Sequence, residues 1–137
     1  MDKAEQIVSK MMENDAFSQW LGIEVINVSE GTCKLKMTIR DEMTNGFKIA
    51  HGGISYALAD SALAFAANSY GLQSLSIKTS ICHTKKVNIG DQLIANTEEI
   101  MKNEKKAIYK IEIKNQHNVT VANFEGTVHR TKKKWLN

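Results

Sequence analysis

The sequence predicts an α+β domain in which an antiparallel sheet of about six strands wraps one long central helix. Three observations carry this. Several segments alternate apolar and polar residues with period two, as half-buried antiparallel strands do. One stretch, residues 52–70, is rich in Ala and Leu, apolar almost all round, and free of any β-branched run. The connectors late in the chain are short and polar, as hairpins require.

The elements follow in order. Over residues 4–14, Ile7, Met11 and Met12 stand at helical spacing and predict a short amphipathic helix that Asn14-Asp15 ends. Phe17, Trp20 and Leu21 are expected to pack the turn that follows. Next come a strand over residues 23–28, a Glu30-Gly31 turn and a second strand. In that second strand Cys33, Leu35, Met37 and Ile39 alternate with Lys34, Lys36, Thr38 and Arg40. The central helix occupies residues 52–70, with Gly71 at the C′ position. Beyond it, Leu75, Ile77, Thr79 and Ile81 alternate with Ser76, Lys78, Ser80 and Cys82. Three more strands are expected over residues 92–101, 105–114 and 120–130.

A length of 137 residues suits one domain. We place that domain at residues 1–131 and read 132–137 as a basic tail. The net charge of +3 is local: without Arg130, Lys132, Lys133 and Lys134, 14 basic residues stand against 15 acidic ones. A nearly neutral body with a basic end argues against a nucleic-acid partner. No apolar run reaches the ~20 residues that span a bilayer, so no membrane partner is expected. Two cysteines, Cys33 and Cys82, are too few for a disulfide framework, and the acidic start lacks a signal-peptide core. The expected setting is the cytoplasm. Proline is absent, which leaves turns to Gly and Asn.

Asp60 is the most informative residue. It is the only Asp, Glu, Lys or Arg between Lys48 and Lys78, and it lies mid-helix among Leu58, Ala59, Ala62 and Leu63. A carboxylate there costs several kcal/mol unless it is paired, and carboxylates so perturbed concentrate at functional sites. His51-Gly52-Gly53 stands where the helix begins. Two glycines expose backbone N–H groups at the positive end of the helix dipole, a place to hold an oxyanion or a carbonyl oxygen; a plain tight turn is the alternative.

Gly52 and Asp60 are eight residues apart on one helix, hence about 12 Å apart along its axis. Both cannot lie within ~3 Å of one reacting atom. If they share a reaction, Gly52 of one chain must face Asp60 of another, with two helices antiparallel across a two-fold axis. Other candidates are weaker. Cys82 and His83 point to opposite faces of a strand and cannot readily share a metal. His117 and His129 read as surface residues. Asn45-Gly46 reads as a turn and Ser76 as a polar strand position.

Taken together, Met12-Glu13-Asn14-Asp15-Ala16, Leu21-Gly22-Ile23, Asn45-Gly46, His51-Gly52-Gly53, Leu58-Ala59-Asp60-Ser61-Ala62, Asn68-Ser69-Tyr70-Gly71-Leu72, Gly126 and His129-Arg130 resemble the hotdog-fold acyl-CoA thioesterases of the phenylacetate-degradation (PaaI) type. The resemblance implies hydrolysis of an aryl- or medium/long-chain acyl-CoA without a cofactor, by homodimers that pair into tetramers. It gives Asp60 the role of catalytic carboxylate, as nucleophile or as base on water. Gly52 becomes the donor to the thioester carbonyl, and Asn45 and His51 shape that side of the site. Ser76 falls where some relatives use a hydroxyl to orient water.

Where the family commonly carries an aromatic or aliphatic pair and then Arg-Pro, this chain has His83-Thr84-Lys85-Lys86. Lys85 and Lys86 are therefore candidates for the CoA phosphates, with a solvated loop as the other reading. A non-catalytic acyl-CoA binder on the same fold is the alternative function. A third reading, a hydratase or dehydratase, suits the Leu-Ala-Asp context less well. The width of the acyl pocket is expected to depend on two subunits, with Phe65 and Phe47 among its walls.

Overall fold

A computed structural model describes all of residues 1–137. Three α-helices and six strands run in the order α1 (Lys3–Glu13), α2 (Ala16–Leu21), β1 (Glu24–Ser29), β2 (Thr32–Thr38), α3 (Gly52–Asn68), β3 (Leu72–His83), β4 (Gln92–Lys102), β5 (Lys106–Lys114) and β6 (Thr120–Lys134). The strands form one antiparallel sheet of order β1-β2-β4-β5-β6-β3, so β1 and β3 are its edges. The sheet wraps α3, which packs against every strand. The expected architecture is the one found.

Helix α1 begins with a reciprocal cap: Glu5 N donates to Asp2 Oδ1 at 2.9 Å and Asp2 N to Glu5 Oε1 at 3.3 Å. Ala4, Ile7 and Val8 form its buried face. The turn expected after it is a second helix, α2, capped at its start by Asp15 and ended by Gly22 in the left-handed region (φ +74°). Leu21 is buried as expected, together with Ser18, but Phe17 and Trp20 are exposed. Those two rings stack on each other at 6.1 Å, and the Arg40 guanidinium lies 4.9 Å from the Trp20 ring centre.

On β2, Cys33, Leu35 and Met37 face the helix and are buried, as the alternation predicted, and Ile39 just beyond the strand is buried with them. Leu93 and Ala95 of β4, Tyr109, Ile111 and Ile113 of β5, and Ala122, Phe124 and Val128 of β6 complete the inner face. Fully burying side chains such as Leu58, Leu63 and Phe65 of α3 against that face is worth roughly 1.5–3 kcal/mol each. Gly126 lets β6 cross α3 closely, because a Cβ there would stand 2.5 Å from Leu63 Cδ2.

Two further expectations need correction. The alternation on β3 does not bury Leu75 and Ile77, which are 68% and 57% exposed. A bulge between Ser76 and Lys78 makes Ile77 the extra residue, and β3 has no neighbour on its outer edge. Nor do residues 132–137 form a loose tail. β6 continues through Lys134, which pairs with Leu72. Trp135 N then donates to Gly71 O at 2.9 Å, and Trp135 Nε1 to Asn68 Oδ1 at 2.7 Å. The same Asn68 carboxamide bonds Ala64 O, Ser74 O and Ser74 N, so the C-terminal end of α3 is tied to both β3 and the end of the chain. Gly71 (φ +112°) lies two residues past the Ser69 cap and makes the reversal there.

Candidate active site

The site begins at the first turn of α3. His51 is its N-cap: the backbone is extended (φ −61°, ψ 138°), and Nδ1 accepts the Gly53 N–H at 2.9 Å. An accepting Nδ1 places the proton of the neutral ring on Nε2. His51 O accepts the Ile54 N–H at 2.9 Å, and His51 N anchors the cap to Met43 O at 2.8 Å. One donor of the turn is left over. The Gly52 N–H donates to no group of the chain, and Gly52 is exposed. It combines a free donor with the positive end of a helix dipole, and no side chain of its own covers it.

Asn45 stands beside it. Its Oδ1 accepts the Phe47 N–H at 2.9 Å in the turn foreseen from the sequence, while its Nδ2 has no partner in the chain. Asn45, Gly52, Lys85 and Lys86 line one recess of about 340 Å³, together with Ser55 and His83. The chain thus gathers two unengaged donors with two cations at their rim. His83 was not foreseen in this place. Its ring stands over Gly52, with Nε2 3.3 Å from where a Cβ on that residue would lie. The signal that could have found it is parity: His83 shares the inward face of β3 with Ile81 and Thr79. Cys82 points the other way and lines the outer surface of the sheet.

His51 opens on a different recess of about 320 Å³, lined also by Phe17, Met43 and Ile54. Its link to the Gly52 corner is through the backbone it caps. Ser76 has the parity of the buried Ser74 and so faces the α3 side, on the open part of β3. Of the two rings expected at the acyl pocket, Phe65 is 0% exposed and belongs to the chain's own core, whereas Phe47 is 85% exposed.

Asp60 lies about two turns further along the same unbroken helix, so the axial separation of about 12 Å from Gly52 stands. It is half-buried, without a salt bridge and without any hydrogen-bond donor from the chain. Burial pushes its carboxyl above the ordinary carboxylate range, and the negative charge of Asp15 adds to the rise. An unpaired carboxylate held ready to take a proton is an unusual use of a buried helix face. The structure therefore brings Asn45, Gly52, Lys85 and Lys86 together and leaves Asp60, Ser76 and His51 outside that recess.

Free donors at one end of a wrapped helix, with an unpaired carboxylate further along it, suit attack on an activated ester carbonyl, and the class so defined is the hotdog-fold hydrolases. A model of the thioesterase superfamily matches residues 47–122, which include Asp60 and, of the recess, Gly52, Ser55, His83, Lys85 and Lys86 but not Asn45. The acyl-coenzyme A thioesterase PaaI of Escherichia coli is 39% identical over 128 residues, covering 93% of this chain and 91% of the relative. The solved structure of the E. coli PaaI protein from the phenylacetic acid degradation operon superimposes with a TM-score of 0.94 at 38% identity, over 96% of each chain. A mutant of the phenylacetic acid degradation protein PaaI from Thermus thermophilus gives 0.82 at 30% identity, over 85% of this chain and 100% of that one. The chain belongs to the thioesterase superfamily and is a PaaI-type thioester hydrolase. No helix is long and apolar enough to cross a membrane.

Proposed function

We propose that this chain hydrolyses an aryl- or medium/long-chain acyl-CoA to the free acid and CoA, at sites shared between two subunits. The observation that carries the reading is the pairing of an unengaged Gly52 N–H with an unpaired, half-buried Asp60 on one helix. The Gly52 N–H, with Asn45 Nδ2 beside it, receives the thioester carbonyl oxygen and holds the negative charge that grows there. Asp60 acts as base on water, or attacks the carbonyl carbon itself. The thiolate of CoA then leaves without needing a strong acid.

Since one helix cannot bring both groups to one carbonyl, Asp60 comes from a second copy whose α3 runs antiparallel across a two-fold axis. The open edge of β3, with its exposed Leu75 and Ile77, supports pairing on that side. Two such dimers then form the tetramer. In this reading His51 fixes the turn that presents Gly52, Ser76 orients the water, and Lys85 and Lys86 meet the CoA phosphates at the rim of the recess. The setting is the cytoplasm, where acyl-CoA is made and spent.

The test is release of free thiol from a panel of aryl- and fatty acyl-CoA thioesters by wild type, Asp60→Asn and Asp60→Ala. Wild type is expected to turn over at least one class, and both variants to lose about 10²–10⁴-fold in kcat. Full rate in Asp60→Ala sinks the mechanism. Tight acyl-CoA binding by a wild type that releases no thiol makes the chain a binder.

A further inference from the structure

We propose that Asp15 is a positioning residue for Asp60, acting through a part-buried hydrogen-bonded relay of Ser18 and Ser61 that joins α2 to the turn of α3 carrying Asp60. The inference rests on the reading of Asp60 as the reacting carboxylate.

The relay is short and continuous. Asp15 Oδ1 accepts the Ser18 N–H at 2.9 Å and Asp15 Oδ2 accepts the Ser18 hydroxyl at 2.6 Å. Ser18 Oγ lies 2.8 Å from Ser61 Oγ, and Ser61 is the neighbour of Asp60. Ser18, at the centre of the relay, is 1% exposed, while Asp15 and Ser61 are half-buried. The direction of the relay follows from chemistry. An ionised carboxylate only accepts, so the Ser18 hydroxyl proton is committed to Asp15. Ser18 Oγ is then left as an acceptor, and the Ser61 hydroxyl must donate to it. The Ser61 proton is thereby drawn toward Ser18 and Asp15. Asp15 thus fixes the α2–α3 contact at the turn that carries Asp60 and sets a like charge against it.

The surroundings leave Asp15 as the charge that matters. On α3 the other ionisable side chain is Tyr56, bonded to Thr79, and Tyr70 lies just beyond the helix. From the sheet, Cys33 of β2 donates to Ala62 O at 3.3 Å, and Tyr109 of β5 donates to Glu99. His83 of β3 stands at the Gly52 end, while Lys78 of the same strand is exposed. On β1, β4, β5 and β6 the ionisable groups Glu24, Glu98, Lys102, Lys106, Lys110, Glu112, Glu125, His129, Lys132, Lys133 and Lys134 are exposed. Lys34 and Lys36 of β2 and Lys114 of β5 alternate with buried residues and so face outward, and Arg130 lies toward the Tyr70 ring. Lys3, Glu5, Lys10 and Glu13 of α1 are exposed. Alongside burial, the Asp15 carboxylate is the charge that lifts Asp60. A raised carboxyl is a stronger base once ionised, which suits a group that must take a proton from water.

The experiment uses the full-length protein. Asp15→Asn keeps a side chain that caps a helix well, removes the charge, and lets the relay reverse, since the carboxamide can donate to Ser18. Ser18→Ala and Ser61→Ala cut the relay and leave the charge. Two readouts are taken for each: the pH dependence of thiol release from the best acyl-CoA of the panel, and the titration of the Asp60 carboxyl by carbon NMR on aspartate-labelled protein, assigned with Asp60→Asn. In Asp15→Asn the acid limb of the rate profile and the Asp60 titration are both expected to move to lower pH, by about half a unit or more. In the two serine variants the plateau kcat is expected to fall several-fold, with the limb displaced less.

A merely structural Asp15 would lower the plateau or the melting temperature and leave the limb and the titration where they were. An Asp60 titration in Asp15→Asn that overlays wild type overturns the proposal, as does a wild-type plateau in both serine variants. Absence of thiol release from wild type, with the Asp60 titration still moving in Asp15→Asn, faults the functional reading and leaves the coupling standing.

Discussion

Burial and the Asp15 charge hold the Asp60 carboxyl above its ordinary range, so the folded chain binds that proton more tightly than the unfolded chain does. Between the unfolded value near 3.8 and the raised folded value, the native state carries more protons. Stability therefore falls as pH rises through that window, and the loss is complete above the folded value. Asp60→Asn removes the ionisation. The variant is expected to be more stable than wild type at pH 7, by at most about 1 kcal/mol because solvent screens a half-exposed carboxyl. The difference should shrink as pH falls toward 4, and thermal melts of both proteins across that range check it. A wild type more stable than Asp60→Asn at neutral pH would mean that the carboxylate has a stabilising partner. Asp60 was legible in the sequence because no other formal charge interrupts residues 49–77. His83 and the serine relay were not, because His83 meets Gly52 and Ser18 meets Ser61 only after the chain has folded back on itself.

Element by element, the periodic signal was faithful where both sides of a strand are fixed by this chain. β2 is paired on both edges and buries one face on α3, so its alternation and its burial agree. β3 is paired on one edge only, and half of its apolar side is exposed. The last strand shows the opposite failure. Lys132, Lys133 and Lys134 have no apolar period to announce a strand, yet pairing with the start of β3 and the indole of Trp135 on Asn68 hold them in place. Deleting residues 132–137 should therefore behave as the loss of structure. It removes the Trp135 N–H bond to Gly71 and the Trp135 bond to the Asn68 hub, each worth about 1 kcal/mol, as well as the packing of the indole. A drop in stability of about 2–4 kcal/mol is expected in urea melts of the truncated chain. Unchanged stability would restore the reading of these residues as a tail.

At the scale of the whole molecule, the distance along α3 turns a question of mechanism into one of assembly. A donor at Gly52 and a carboxylate about 12 Å away can serve one carbonyl only if separate copies supply them. This can be read from complementation. Gly52→Pro removes the donor N–H at a first helical position, where proline is tolerated and the helix keeps its start. Asp60→Asn removes the carboxylate. Each variant alone carries two broken sites per dimer and should be inactive. Mixed by co-refolding, half of the dimers contain one of each. In such a dimer one site joins an intact Gly52 to an intact Asp60, and the other joins both defects. The mixture should therefore regain about a quarter of the wild-type rate per chain. If Gly52 and Asp60 of the same chain formed the site, every site in the mixture would lack one group or the other and no rate would return. Adding Leu75→Lys and Ile77→Lys to both partners should abolish the recovery, because it places like charges on the open edge of β3, where the two copies are expected to meet. Recovery that survives those charges would move the dimer contact off this edge while leaving the shared site intact.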